Sequence, residues 1–328
     1  MSRLPFPLLS EERYQQEMDQ LILKLERFRQ ASGTSARLPE RGIHWEYYAP
    51  DDGCDAVICI SHGFTESALK HYELIWYFLR AGYGVFICDH MGHGKSYRLL
   101  QETWLTHTTS FDDYIRDFHY WVERTVYPLS RDKKHYLFGH SMGGAIAILY
   151  LEQHPGYFDK CVLCAPMVSP SAGEWPDFLG GALASFMCMV GKGEKPIPTQ
   201  GPFDGEDHWE KNNCTTSKAR YLWYLEEQKK DQHLQNSAAT YSWAKEAVNV
   251  QYPILAQAYA VQIPVLLCQA GLDTVVNLPP QDDLVHLLPK GRKIVYHDAK
   301  HEIYRSSNSV LEKFLLDVLS FLREESGE

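Results

Sequence analysis

Short runs of almost uninterrupted apolar residues, separated by longer amphipathic stretches, set the tightest limit on how this chain can fold. AVICIS at 56–61, VFICD at 85–89 and VLLCQ at 265–269 place apolar side chains at successive positions. Strands of that kind need cover on both faces, as in a parallel sheet. Ile43–Ala49, His135–Gly139, Cys161–Ala165 and Ile294–His297 read as further strands. Helical patterns over Leu69–Ala81, Phe111–Val126, Met142–Gln153, Pro280–Leu287 and Val310–Arg323 fill the gaps between them. This alternation predicts right-handed crossovers and an α/β fold built on a doubly wound, mostly parallel sheet.

One interval breaks the rhythm. Residues 169–259 carry no strand signal, only helical stretches, clearest at Ala219–Lys230 and Ala238–Val248. About ninety residues are too many for a simple connection. They predict a helical cap inserted over the C-terminal edge of the sheet. The expected organisation is an N-terminal helical extension over 1–40, amphipathic around Glu11–Gln30, a core formed by 41–168 and 260–328, and the cap over 169–259.

A formal charge of -10 and a pI near 5.8 argue against nucleic-acid binding, which wants a basic face. They also leave little attraction to anionic lipid, so any membrane contact must be mainly apolar. The N-terminal residues have no secretory layout. No apolar run reaches the roughly 20 residues needed to span a bilayer; the nearest, Phe178–Gly191, reads as a buried or interfacial segment. These features predict a cytoplasmic protein with reduced cysteines. Cys161 and Cys164 stand three apart in a strand, where side chains point to opposite faces, so they are not a metal-ligand pair.

The chemistry is concentrated at Gly139-His140-Ser141-Met142-Gly143-Gly144, which follows an apolar strand and opens a helix. Small residues around the serine allow a strained strand-to-helix turn that pushes its hydroxyl out at the top of the sheet. Ser141 is therefore the candidate nucleophile. The backbone amides of Met142 and of Phe64, in the loop after an earlier strand, are candidate oxyanion donors. A serine also needs a base, and the base an orienting carboxylate. His301 and Asp273 lie in loops after the last two strands and fit those roles. Asp298 is a rival acid, while His297 and His286 sit inside elements and are weaker bases. Glu302 either tunes its neighbour His301 or is solvated. Gly94-Lys95-Ser96 lacks the glycine a phosphate loop needs, and His90 and His93 near Asp89 read as bracing of a turn, not as metal ligands.

The set His62-Gly63-Phe64, Asp89-His90-Met91-Gly92-His93-Gly94-Lys95-Ser96, Gly139–Gly144, Asp273 and His301 resembles the lysophospholipase and monoacylglycerol lipase branch of the α/β-hydrolases. Runs such as Phe111-Asp112-Asp113-Tyr114, His154-Pro155-Gly156, Ala165-Pro166-Met167 and His301-Glu302-Ile303 carry the likeness over most of residues 40–325, least in the cap. Met91 departs from the pattern, because arginine usually follows Asp-His there. The resemblance implies an α/β-hydrolase fold and hydrolysis of an ester bearing one fatty acyl chain, such as a lysophospholipid or monoacyl ester. It also implies no cofactor or metal, and a loose, peripheral association with the inner face of the cytoplasmic membrane. Trp175, Phe178, Phe186, Met187, Met189, Trp209, Trp223 and Trp243 supply apolar surface in the cap. Each buried methylene contributes about 0.8 kcal/mol, so such a cleft could bind an acyl chain without a charged anchor. Phe178, Phe186, Met187 and Trp223 are the candidate substrate-binding residues.

Overall fold

The computed structural model describes residues 3–171, 173, 177–198 and 200–324, leaving aside the side chains of Asp177 and Phe178. Its strands are β1 (Arg29–Leu38), β2 (Arg41–Tyr48), β3 (Ala56–Ser61), β4 (Gly84–Cys88), β5 (Leu105–Thr106), β6 (Lys134–His140), β7 (Lys160–Cys164), β8 (Ala238–Ala239), β9 (Val265–Ala270) and β10 (Gly291–Tyr296). Its helices are α1 (Tyr14–Phe28), α2 (Tyr72–Arg80), α3 (Asp112–Trp121), the single turn α4 (Tyr127–Leu129), α5 (Met142–Gln153), α6 (Asp177–Met189), α7 (Lys218–Lys230), α8 (Tyr241–Asn249), α9 (Gln251–Gln257), α10 (Leu278–Leu287) and α11 (Asn308–Arg323). A π-helical turn, Val122–Val126, joins α3 to α4.

Eight strands form one sheet in the order β1-β2-β4-β3-β6-β7-β9-β10. β1, β2 and β4 pair antiparallel, and every pairing from β4 to β10 is parallel. The chain thus has the α/β-hydrolase architecture, with a helical cap region between β7 and β9. Side-chain alternation explains why its strands read as continuously apolar. In β3, Ile58 and Ile60 enter the core on one face, with residues of α1, α2 and α11. Val57 and Cys59 enter the core on the other, with α3, α5 and α9. Cys161 and Cys164 divide between the two faces in the same way.

Two expectations need correction. Residues 1–40 are not wholly a helical extension, since Arg29–Leu38 leaves α1 directly into the edge strand β1. Its sequence, RQASGTSARL, is small and polar on both faces, so no apolar alternation announces it. The cap interval is not strand-free either, because Ala238 and Ala239 pair in parallel with Leu105 and Thr106. Two alanines carry no β signal of their own.

The cap region is tied to the core through a buried ion pair. Arg220 of α7 donates from Nη2 and Nε to the two carboxylate oxygens of Glu73 of α2, at 2.7 and 2.8 Å. Glu73 also accepts from the hydroxyls of Tyr14 and Tyr77.

Glu152, near the end of α5, has no such compensation. Its Oε1 is buried without a hydrogen-bond partner among the described residues. Burial pushes its carboxyl up to about 8. The folded state then binds more protons than the unfolded one between about pH 4.5 and 8, so stability falls as pH rises through that window. Glu152→Gln is expected to be more stable than the parent at pH 8 by on the order of 2–3 kcal/mol, with little gain at pH 4.5. Denaturant titrations at the two pH values check this, and a gain independent of pH would sink the explanation.

Candidate active site

The turn between β6 and α5 holds Ser141 at φ 51° and ψ -120°, a region that favours glycine. Close approach explains the small residues around it. A Cβ at Gly143 would lie 2.0 Å from the Ser61 carbonyl oxygen, so α5 begins directly against the end of β3. A Cβ at Gly144 would meet Pro166 at 2.7 Å. Backbone bonds hold the turn: Ser141 N–H donates to the Cys164 carbonyl, and its own carbonyl accepts from Gly144, Ala145 and Met167.

Asp273 and His301 come together from the loops after β9 and β10. His301 Nδ1 donates to Asp273 Oδ2 at 2.7 Å, while Asp273 Oδ1 accepts from the Val275 and Val276 amides. A carboxylate can only accept, so the ring proton sits on Nδ1 and the Nε2 lone pair is left to act as a base. Burial alone would raise the Asp273 carboxyl. The hydrogen bond and charge of His301, with the two amides, outweigh it and hold the group below its usual range. The His301 ring lies 4.9 Å from that of His140, the residue before Ser141. The rivals Asp298, His297 and His286 are all exposed.

The loop after β3 closes the third side. A Cβ at Gly63 would lie 3.1 Å from Ser141 Cβ. Among the described residues, the Phe64 and Met142 amides have no protein acceptor and remain available as donors. Glu66, which sequence reasoning missed, anchors this loop from beneath. Its Oε2 accepts the Gly63 amide at 2.7 Å and His71 Nε2 at 3.0 Å, and its Oε1 accepts the Tyr304 hydroxyl at 2.8 Å. A carboxylate three residues past Gly63, in a loop leaving a buried strand, was the only signal for it. Glu302 is buried, not solvated, and pairs with Lys70 at 2.6 Å.

The Asp89–Ser96 turn is bracing. Asp89 accepts the amides of Ala68 and Lys95, and its carbonyl accepts the Ser96 hydroxyl. His90 Nε2 meets Ser61 Oγ, and His93 Nδ1 donates to the Met91 carbonyl. The Met91 side chain, where the pattern has arginine, is buried in the core.

The substrate-binding candidates separate. Trp223 is buried against Tyr14 of α1 at 6.2 Å between ring centres and belongs to the core that α1 helps to cover. It packs the cap region onto that helix and is corrected from substrate residue to core. Phe186 is 54% exposed and Met187 half-buried, both on α6. Phe178 is also on α6, and its side chain lies outside the described residues. The aromatic that meets the site is Trp243 of α8, 4.3 Å from Phe64 and donating to the Tyr114 hydroxyl.

Comparison with known proteins agrees with this architecture. The family model described as serine aminopeptidase, S33 (Hydrolase_4), matches residues 53–308. The chain is 30% identical to lysophospholipase L2 of Escherichia coli strain K12 over 285 residues, covering 83% of this chain and 82% of that protein. It is 33% identical to monoglyceride lipase of Mus musculus over 143 residues, 43% of this chain and 45% of the relative. A soluble variant of monoglyceride lipase from Saccharomyces cerevisiae, solved with a substrate analogue, shares the fold with a TM-score of 0.71 at 16% identity, over 88% of this chain and 94% of that one.

Proposed function

The chain belongs to the serine aminopeptidase S33 (Hydrolase_4) family, and on that premise we propose that it releases the fatty acid of lysophospholipids through an acyl-enzyme on Ser141. It is a carboxylic ester hydrolase. Ser141 Oγ attacks the acyl carbonyl while His301 Nε2 takes its proton, and Asp273 holds the resulting imidazolium. The Phe64 and Met142 amides receive the oxyanion, where one such donor is worth about 3–4 kcal/mol in the transition state. Collapse passes the proton to the departing glycerol oxygen. Water then attacks the acyl-enzyme, giving its proton to His301, and the fatty acid leaves as Ser141 recovers its own.

The observation that carries the chemistry is the 2.7 Å Asp273–His301 pair, whose imidazole lies 4.9 Å from the ring of His140, the residue before a serine held at positive φ. The preference for a lysophospholipid rests on likeness to lysophospholipase L2 along 83% of the chain, against 43% for the monoglyceride lipase.

Contact with a lipid surface belongs to the same reading. No helix among the described residues is long and apolar enough to cross a membrane. On α6 and just past it, Leu179, Leu183, Phe186 and Val190 are exposed at spacings of four, three and four residues, which puts them on one face. Gly181 turns the helix's other side to Val248. At a net charge of -10, contact through this stripe is apolar.

Fatty acid release from lysophosphatidylethanolamine and from a monoacylglycerol of equal chain length, measured side by side, tests both parts. Faster release from the lysophospholipid is expected, and a preference for monoacylglycerol overturns the head-group assignment. Leu183→Ser with Phe186→Ser is expected to slow release from vesicles about tenfold, a loss of about 1.4 kcal/mol, and to spare a soluble short-chain ester. Equal slowing on both substrates would remove the surface role.

A further inference from the structure

Lys70 lies just before α2, and its side chain is almost wholly buried between two carboxylates. Its ammonium is 3.2 Å from Glu66 Oε1 and 2.6 Å from Glu302 Oε1. Each carboxylate belongs to a different wall of the site. Glu66 accepts the Gly63 amide, next to the proposed oxyanion donor Phe64. Glu302 adjoins His301, and its own amide donates to the Cys214 carbonyl of the cap region.

We propose that Lys70 is a positioning residue which, through Glu66 and Glu302, holds the oxyanion loop and the His301 loop at a fixed separation during ester hydrolysis. The inference rests on the reading of the site given above. Its physical basis is the geometry of the link. Two loops separated by more than two hundred residues are joined by the Lys70 ammonium and by the Tyr304 hydroxyl on Glu66 Oε1, with no backbone pairing between them in that stretch. Of these two links only Lys70 reaches Glu302 beside His301. Charge balances locally, because Lys70 and Arg305 face Glu66 and Glu302, with Arg305 Nε 3.6 Å from Glu302. His140 lies against the same group, its Nε2 3.6 Å from Glu66 Oε1 and its Nδ1 donating to the Cys164 carbonyl. Apolar packing could stabilise this region equally well. What an ion pair adds is a set distance, and a displacement of about 1 Å among reacting groups can cost on the order of a hundredfold in rate.

The test separates positioning from folding. Lys70→Met leaves two carboxylates facing Arg305 alone, and both stability and turnover fall. Lys70→Met with Glu302→Gln removes one charge of each sign, so the melting temperature returns close to that of the parent. With lysophosphatidylethanolamine as substrate, kcat of the double variant is expected to stay at least about tenfold down, with KM changed less than about twofold. Lys70→Arg, which keeps the bridge, recovers most of kcat. If kcat returns with stability in the double variant, or if KM carries the loss, the proposal is overturned. Failure of the underlying reading looks different: the parent enzyme itself would release no fatty acid and would not label at Ser141 with a fluorophosphonate.

Discussion

Ser141→Ala is expected to lower ester turnover by about 10⁴-fold or more and to abolish fluorophosphonate labelling, with stability changed by less than about 1 kcal/mol. The two halves of this prediction follow from different features of the turn. Stability is spared because the turn is held through main-chain atoms. The Ser141 amide bonds to Cys164, and its carbonyl receives Gly144, Ala145 and Met167, all of which alanine keeps. Strain is unchanged too, since alanine at φ 51° carries the same Cβ penalty as serine. Turnover is lost because the hydroxyl is the only group removed, and neither His301 nor the oxyanion donors can form an acyl-enzyme without it. Residual catalysis from the donors and from binding sets the floor. Initial rates on a soluble ester, with thermal unfolding on the same preparations, decide the matter. A variant that kept even about one per cent of parental turnover would move the nucleophile elsewhere.

The features legible in the sequence were those whose cause is local. β3, β4 and β9 are continuously apolar because helices cover both faces, and the 139–144 turn shows its glycines because α5 starts against Ser61 and Pro166. Asp273 and His301 could be placed because each follows an apolar strand by only a few residues. What escaped were features decided by distant partners. β1 gains its pairing from β2 and its outer contacts from α3, where Arg37 bonds Asp117, so its own residues did not need to be apolar. Glu66 and Lys70 look like ordinary loop charges until the chain brings Glu302 to them. Tryptophan in a cap helix fits either side of it equally well. Trp223 faces Tyr14, whereas Trp243 faces Phe64, and only tertiary packing separates core from site.

The same dependence on distant partners makes Arg220→Met the substitution expected to cost most in stability, about 3–5 kcal/mol. Arg220 is fully buried and joins α7 to α2 through Glu73, to the chain before α11 through the Ser306 carbonyl, and to the first residue of α11 through Asn308. Glu73 shows what the arginine supplies. Burial alone would raise its carboxyl, and the charge and hydrogen bonds of Arg220, helped by Tyr14 and Tyr77, bring it below the usual carboxylate range instead. Without Arg220 only the Tyr14 and Tyr77 hydroxyls oppose the burial, and the folded-state value is expected to move above the unfolded one. Stability of the variant is then greatest below the unfolded value and falls as pH rises through the new folded value. The deficit relative to the parent should therefore be larger at pH 8 than at pH 5. Adding Glu73→Gln removes the stranded carboxylate, so the double variant should regain most of the loss and lose the added pH dependence. Melting curves of the parent, Arg220→Met and the double variant at both pH values check this, with a fall on the order of 10 °C expected for the single variant at pH 8. A single variant as stable as its double partner at both pH values would show that Glu73 does not depend on Arg220, and that the cap region is held by apolar packing around Trp223 instead.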